Sequence, residues 1–162
     1  MSDKQRLHHT LEPLFDESSE VLILGSFPSI VSREKSFYYA NPTNRFWPVM
    51  EILFAEAIKD RREFCLRRHI ALWDVIESCT INGSSDSSIR DVKANDIAWL
   101  ISRSSVHTVF TTGAKAASLY RRYISVPQPC IPLPSTSAAN AHMRLNDLVK
   151  EYTCVRNALE TN

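Results

Sequence analysis

Four short apolar runs, each closed by small or polar residues, constrain this chain more than any other feature. Residues 21–24 end in Gly25-Ser26-Phe27-Pro28-Ser29, and residues 70–76 (Ile-Ala-Leu-Trp-Asp-Val-Ile) read as a second strand with its exit. Residues 106–110 end in Thr111-Thr112-Gly113, and residues 129–133 end in the loop 134–140, Pro-Ser-Thr-Ser-Ala-Ala-Asn. Apolar runs of this length suit strands covered on both faces, and the small residues mark where the backbone leaves the sheet. Pro129 and Pro132 place the fourth strand at an edge, where a missing N–H is tolerated.

Helical patterns alternate with these runs. Phe46, Val49, Met50, Leu53, Phe54 and Ala57 share one face of a helix that starts near Asn44, with Thr43 or Asn44 as its N-cap. Pro48 falls in the first turn, where its missing N–H is harmless. Asp60 caps a short helix over residues 60–68, and Asn95 caps one running through Ile97, Leu100 and Ile101. Residues 114–123 and 145–159 complete the set. Residues 1–19 read as a lead-in docking on the first strand, and 78–88 as loop by composition. The expected fold is a single α/β domain, a three-layer α/β/α sandwich around a mostly parallel four-stranded sheet.

Composition narrows the function classes. A chain of 162 residues is ordinarily one domain. A net charge of +1 means that any anion-binding surface arises from local asymmetry. No apolar run is long enough to span a membrane, and the N-terminus lacks the apolar core of a signal peptide, so a cytoplasmic, monomeric protein is expected. Cys65, Cys79, Cys130 and Cys154 have neither CxxC nor zinc-ligand spacing and read as small buried hydrophobes. No metal or other cofactor is expected.

Ligands of open α/β sheets bind outside the carboxyl ends of the strands. The loop after Leu24 suits a flat, polar, anionic ligand. It offers Phe37, Tyr38 and Tyr39 for stacking, Arg33, Lys35 and Arg45 for phosphate, and Asn41 and Asn44 for directed hydrogen bonds. Arg61, Arg62, Arg67 and Arg68 read as a solvated helix face. Nucleotide P-loop, dinucleotide and nucleophile-elbow motifs are absent, which leaves Ser26 a weak nucleophile. Of the five histidines, His142 alone, beside the 134–140 loop, merits a test. His69 and His107 flank strands and read as structural.

The four strand exits carry a resemblance. GSFPS, FYYANPTNRFW, ALWDVIESC with GSSDSSI, and LPSTSAAN resemble the sixth group of the uracil-DNA glycosylase superfamily, whose members are described as hypoxanthine-DNA (deoxyinosine) glycosylases. The resemblance runs in order from about Val21 to Asn140. It implies the superfamily's α/β/α fold and a monofunctional enzyme of base excision repair. Its substrate is DNA carrying a deaminated base, flipped into a pocket and cut at the glycosidic bond.

Residue roles follow from the same resemblance. Asn44, in PTNRFW, takes the catalytic duty of orienting water and contacting sugar or base; an amide does not ionise usefully and is no strong general base. Phe27 and Tyr39 are candidates to stack on the flipped base, with Tyr38 as the alternative. Asp74 and Thr112 are candidates for its polar edge. Ser26, Ser29, Arg33, Arg45, Ser135, Thr136, Ser137 and Asn140 are candidate DNA contacts. Asp86 and Ser87 are expected to order their own loop. Three positions depart from the family pattern. Phe27 replaces an Asp or Asn, Thr112 replaces an Asn, and Ala138 replaces a Pro. Alternatives are a uracil or mismatch-specific uracil glycosylase, a non-catalytic DNA-binding member of the fold, and a small-molecule hydrolase using Ser26 or His142.

Overall fold

The computed structural model describes residues 4–82 and 88–160. In chain order its first elements are β1 (Lys4–His8), β2 (Val21–Gly25), α1 (Ile30–Lys35), α2 (Phe46–Phe54), α3 (Arg61–Arg67) and β3 (Ile70–Asp74). Then come β4 (Ile76–Asn82), β5 (Arg90–Ala94), α4 (Ile97–Ser102), β6 (Thr108–Thr112), α5 (Ala114–Tyr123), β7 (Cys130–Leu133) and α6 (Leu145–Glu160).

β2 is buried at every residue, as is β3 beside it. Both owe this to apolar sequence with cover on either face, unbroken in β3 as far as Trp73. The main sheet runs β3-β2-β6-β7, and every pairing is parallel. β7 lies at the edge, as its prolines require. Helices flank the sheet: α6 packs on β2 and α2, α5 on β6 and β7, and α3 on β3. This is the expected α/β/α arrangement. The register sets Gly25 opposite Asp74, Leu24 opposite Thr111, and Thr112 opposite Leu133. Four strand ends therefore finish side by side, and their exit loops share one rim.

Several local expectations need correction. Residues 78–82 are not loop: β4 pairs antiparallel with β1 and β5 in a second, three-stranded sheet. Its polar residues hide the strand signal: Ser78 is buried although it is polar, next to Cys79 in the core. The lead-in docks on β3 rather than β2, through reciprocal backbone bonds between Leu14 and Leu72 of 3.0 and 2.9 Å. The loop after β2 contains α1, capped by Ser29, whose hydroxyl accepts from the Ser32 N–H at 3.1 Å. The cap of α4 is Asp96, not Asn95. The Asn95 amide instead donates to the Asp74 and Ile76 carbonyls at 2.9 and 3.2 Å, pinning the turn between β3 and β4. Asp60 caps α3 as expected. Cys65 and Cys79 are buried, whereas Cys130 and Cys154 are half-buried; all four are free thiols. Asp86 and Ser87 lie outside the described residues.

The core continues into the loop after β7. Tyr152 of α6 is fully buried, and its hydroxyl donates to the Pro134 carbonyl at 2.5 Å. Tyr152→Phe leaves that carbonyl without its donor and is expected to cost about 1–3 kcal/mol of stability, read by urea denaturation. An unchanged midpoint contradicts this anchoring.

Candidate functional site

The shared rim encloses a cavity of about 400 Å³, lined by residues 25–33 and by side chains from all three remaining exits. Its floor begins at Gly25. A methyl group there would meet Asp74 Oδ1 at 2.5 Å, with Thr112 Oγ1 and the Tyr39 hydroxyl each at 3.7 Å. Only a residue without Cβ lets the carboxylate cross so close to the neighbouring strand.

Asp74 is buried, and its Oδ2 lies 2.8 Å from His9 Nε2, so the ring N–H donates to the carboxylate. The side chains of both partners are almost wholly buried. His9 follows β1 directly, and its backbone N–H donates to the Glu77 carbonyl. The second sheet thus delivers a histidine behind the carboxylate. One carboxylate oxygen is held, and Oδ1 remains over Gly25 facing the cavity.

Aromatic side chains divide between wall and core. Phe27 is half-buried on the cavity wall, with the His9 ring edge-on at 6.0 Å and the Arg33 guanidinium 5.6 Å above it. Tyr39 sits at φ 52°, a left-handed conformation uncommon for a tyrosine. One face of its ring stacks on Phe46 at 4.0 Å, and its hydroxyl lies 3.3 Å from Thr112 Oγ1. Burial, reinforced by Asp74, pushes the Tyr39 phenol well above its usual pKa, so it stays a neutral hydroxyl. Tyr38 is buried, its hydroxyl donates to the Glu12 carbonyl at 2.8 Å, and it also reaches the cavity lining. Phe37 stacks on Trp47.

Asn44 is half-buried and also lines the cavity. The expected helix cap is only partly found: α2 begins at Phe46, its cap residue is Arg45, and Arg45 makes no side-chain capping bond. Asn44 Oδ1 instead accepts from the Phe46 N–H at 2.9 Å and from the Thr136 hydroxyl at 2.8 Å. Thr136 is 2% exposed, so its hydroxyl faces this amide rather than bulk solvent.

Arg45 points away from any external phosphate. Its guanidinium donates to the carbonyls of Thr136, Ser137, Asn140 and Met143, closing the loop after β7 from within. That loop is further braced by Asn140 Nδ2 on the Ser135 carbonyl and by the Ser135 and Ser137 hydroxyls, which accept backbone N–H groups two residues ahead. Ser135, Thr136, Ser137 and Ala138 line the cavity, as do Ser26, Ser29 and Arg33; Arg45 and Asn140 stand behind it. Arg67 and Arg68 pair with Glu56, and Arg67 also with Glu63, as expected of a surface face. His142 is exposed and outside the cavity lining. The histidine at the site is His9, bonded to Asp74, and no local spacing in the sequence marks it. Among the described residues no group of three His, Cys, Asp or Glu could hold a metal ion.

Chemically, the cavity offers one free carboxylate oxygen, the amides of Asn41 and Asn44, two hydroxyls near Gly25 and an aromatic wall. This set reads the edge and face of a flat heterocycle. Among the described residues no lysine lines it, so those residues supply no amine for a Schiff base.

Comparison with known proteins points the same way. The model of the uracil DNA glycosylase superfamily matches residues 12–160. A hypoxanthine DNA glycosylase of Methanosarcina acetivorans is 33% identical over 139 residues, 82% of this chain and 88% of that protein. One of Methanosarcina barkeri is 37% identical over 93 residues, 54% of this chain and 59% of that protein. A solution NMR structure from M. acetivorans, provisionally described as a uracil DNA glycosylase, superimposes with a TM-score of 0.79 at 31% identity. It covers 96% of this chain and 99% of its own.

Arg45→Met removes the internal clamp. It is expected to destabilise the protein by about 1.5–3 kcal/mol, the scale of hydrogen bonds to a charged group, and to speed amide hydrogen exchange across 135–143. Unaltered exchange in that loop contradicts the clamp.

Proposed function

We propose, from the premise that this chain belongs to the uracil DNA glycosylase superfamily, that it is a monofunctional DNA glycosylase releasing deaminated bases, hypoxanthine foremost. The observation that carries this reading is the convergence of Phe27, Asp74 and Asn44 on one cavity at the carboxyl rim of a parallel sheet. Its 400 Å³ falls in the range of about 300–1,000 Å³ usual for small-ligand sites. The names of the Methanosarcina relatives support the choice of base.

In this reading the damaged nucleotide leaves the duplex, since its glycosidic bond is inaccessible in the stack. Phe27 stacks on the extruded base, an interaction worth roughly 1–3 kcal/mol. Asp74 Oδ1 accepts the ring N–H. Hypoxanthine carries that N–H beside its carbonyl, whereas adenine presents a lone pair at the same ring atom, which the carboxylate repels. His9 keeps the other oxygen occupied, so the acceptor is presented in one orientation. Thr112, bonded within the Tyr39–Leu24 network, contributes one hydroxyl to the edge. Uracil bears the same N–H beside a carbonyl, so edge chemistry admits it, and a substrate panel ranks the two.

Bond cleavage builds positive charge on the sugar and negative charge on the departing base. Oriented dipoles in a water-poor pocket stabilise that separation without reorganising. Asn44 is the catalytic residue in this scheme. Ser26, Ser29, Ser135 and Ser137 line the cavity and, with Arg33, contact the phosphates flanking the flipped nucleotide in this scheme.

Duplexes carrying inosine, uracil or xanthine test the proposal under single-turnover conditions, with alkali revealing abasic sites. Inosine is expected to be cut fastest, and Asn44→Ala to slow release about 10²–10³-fold while still melting cooperatively, at a midpoint lowered by the loss of its bonds to the Phe46 N–H and the Thr136 hydroxyl. Binding without alkali-labile sites on any duplex refutes the enzymatic reading. DNA affinity is expected to fall as salt rises, through displaced counterions.

A further inference from the structure

The bonds around Asn44 fix which end of its amide can reach a substrate. Oδ1 accepts from the Phe46 N–H at 2.9 Å and from the Thr136 hydroxyl at 2.8 Å. A carbonyl oxygen has two lone-pair sites, and both are taken. Turning the amide over would set an NH₂ group against the Phe46 N–H, donor against donor. The orientation is therefore dictated by a backbone group that cannot change its role. Nδ2 is left for the cavity that Asn44 lines.

We propose that Thr136 is a positioning residue that locks the Asn44 amide with its NH₂ toward the cavity, so that Asn44 acts on the substrate as a hydrogen-bond donor. This rests on the reading of Asn44 as catalytic. It assigns Asn44 to an acceptor on the substrate, on the departing base or its sugar, where negative charge grows or lone pairs are exposed. It excludes Asn44 as the acceptor of a proton from attacking water. Both locking partners are themselves held. Phe46 is stacked under Tyr39. Thr136 is buried, and its carbonyl accepts from the Arg45 N–H at 3.0 Å. The Arg45 side chain grips the same loop, so a single residue couples the start of α2 to Thr136 through backbone and guanidinium alike.

The experiment compares Thr136→Val, Thr136→Ser, Asn44→Ala, Asn44→Asp and the double variant Thr136→Val/Asn44→Ala on an inosine duplex, each checked by thermal melting. Valine keeps the shape and removes the hydroxyl, so one lone pair of Oδ1 is freed and the amide is held by the Phe46 N–H alone, with its angle to the cavity no longer fixed from a second side. Thr136→Val is expected to slow single-turnover release by about tenfold or more without weakening DNA binding, the scale of a misplaced catalytic group. Thr136→Ser is expected to recover most of that loss. The double variant is expected to be no slower than Asn44→Ala alone, because Thr136 acts only through Asn44. A folded Thr136→Val at the wild-type rate, with Asn44→Ala inactive, overturns the proposal and leaves Asn44 catalytic. Asn44→Ala at the wild-type rate overturns the underlying reading instead. If Thr136→Val does not fold, Asn44→Asp decides. An acceptor-only side chain is expected to be as slow as Asn44→Ala, and a rate at or above wild type contradicts the donor assignment.

Discussion

The close approach of the Asp74 carboxylate to Gly25 is the contact on which the rest of the site depends. Parallel register sets the two residues side by side at the carboxyl ends of β3 and β2. The absence of a Cβ at Gly25 then lets Oδ1 come within a distance that any other residue would forbid. Everything polar at the cavity floor is arranged around this pair. His9 holds the far oxygen, Asn95 pins the turn behind the carboxylate, and the Tyr39 and Thr112 hydroxyls approach from the other side. Burying a carboxylate is costly unless it is hydrogen-bonded. The second, antiparallel sheet gains a purpose here, because β1 brings His9 to where that bond can form.

The opposite wall is built on a different principle. The loop after β7 carries no regular secondary structure between Leu133 and Leu145. Its carbonyls nevertheless find donors in the Arg45 guanidinium, the Tyr152 hydroxyl and the Asn140 amide. A loop with satisfied backbone groups is held as firmly as a helix end. This firmness matters to Ala138, which stands where related sequences are expected to carry proline. Stiffness that the ring would have supplied comes instead from the side chains beneath it.

How much of this was legible follows from the range of each signal. The strand exits, the helix over 114–123 and the edge position of β7 are local patterns, and they are found where periodicity and proline place them. β4 and α1 escape a reading by hydrophobic pattern because their buried residues include Ser78 and Ser32, which carry no hydrophobic signature. Arg45 shows the limit of reading charge by type. It sits in the right loop for a phosphate, yet its partners are carbonyls more than ninety residues away. His9 is the converse case, a partner 65 residues distant with no spacing to announce it. Asn44 divides between two expectations atom by atom. Its oxygen satisfies the first N–H of α2, as a capping residue would, while its nitrogen is left toward the cavity.

A crystal structure of the Asn44→Ala variant bound to an inosine-containing duplex tests the central claim most directly. The account predicts the hypoxanthine ring extruded into the cavity, its face on Phe27 and its ring N–H within hydrogen-bond distance of Asp74 Oδ1. A base left in the helix, or one seated in the cavity with that N–H turned from the carboxylate, contradicts it.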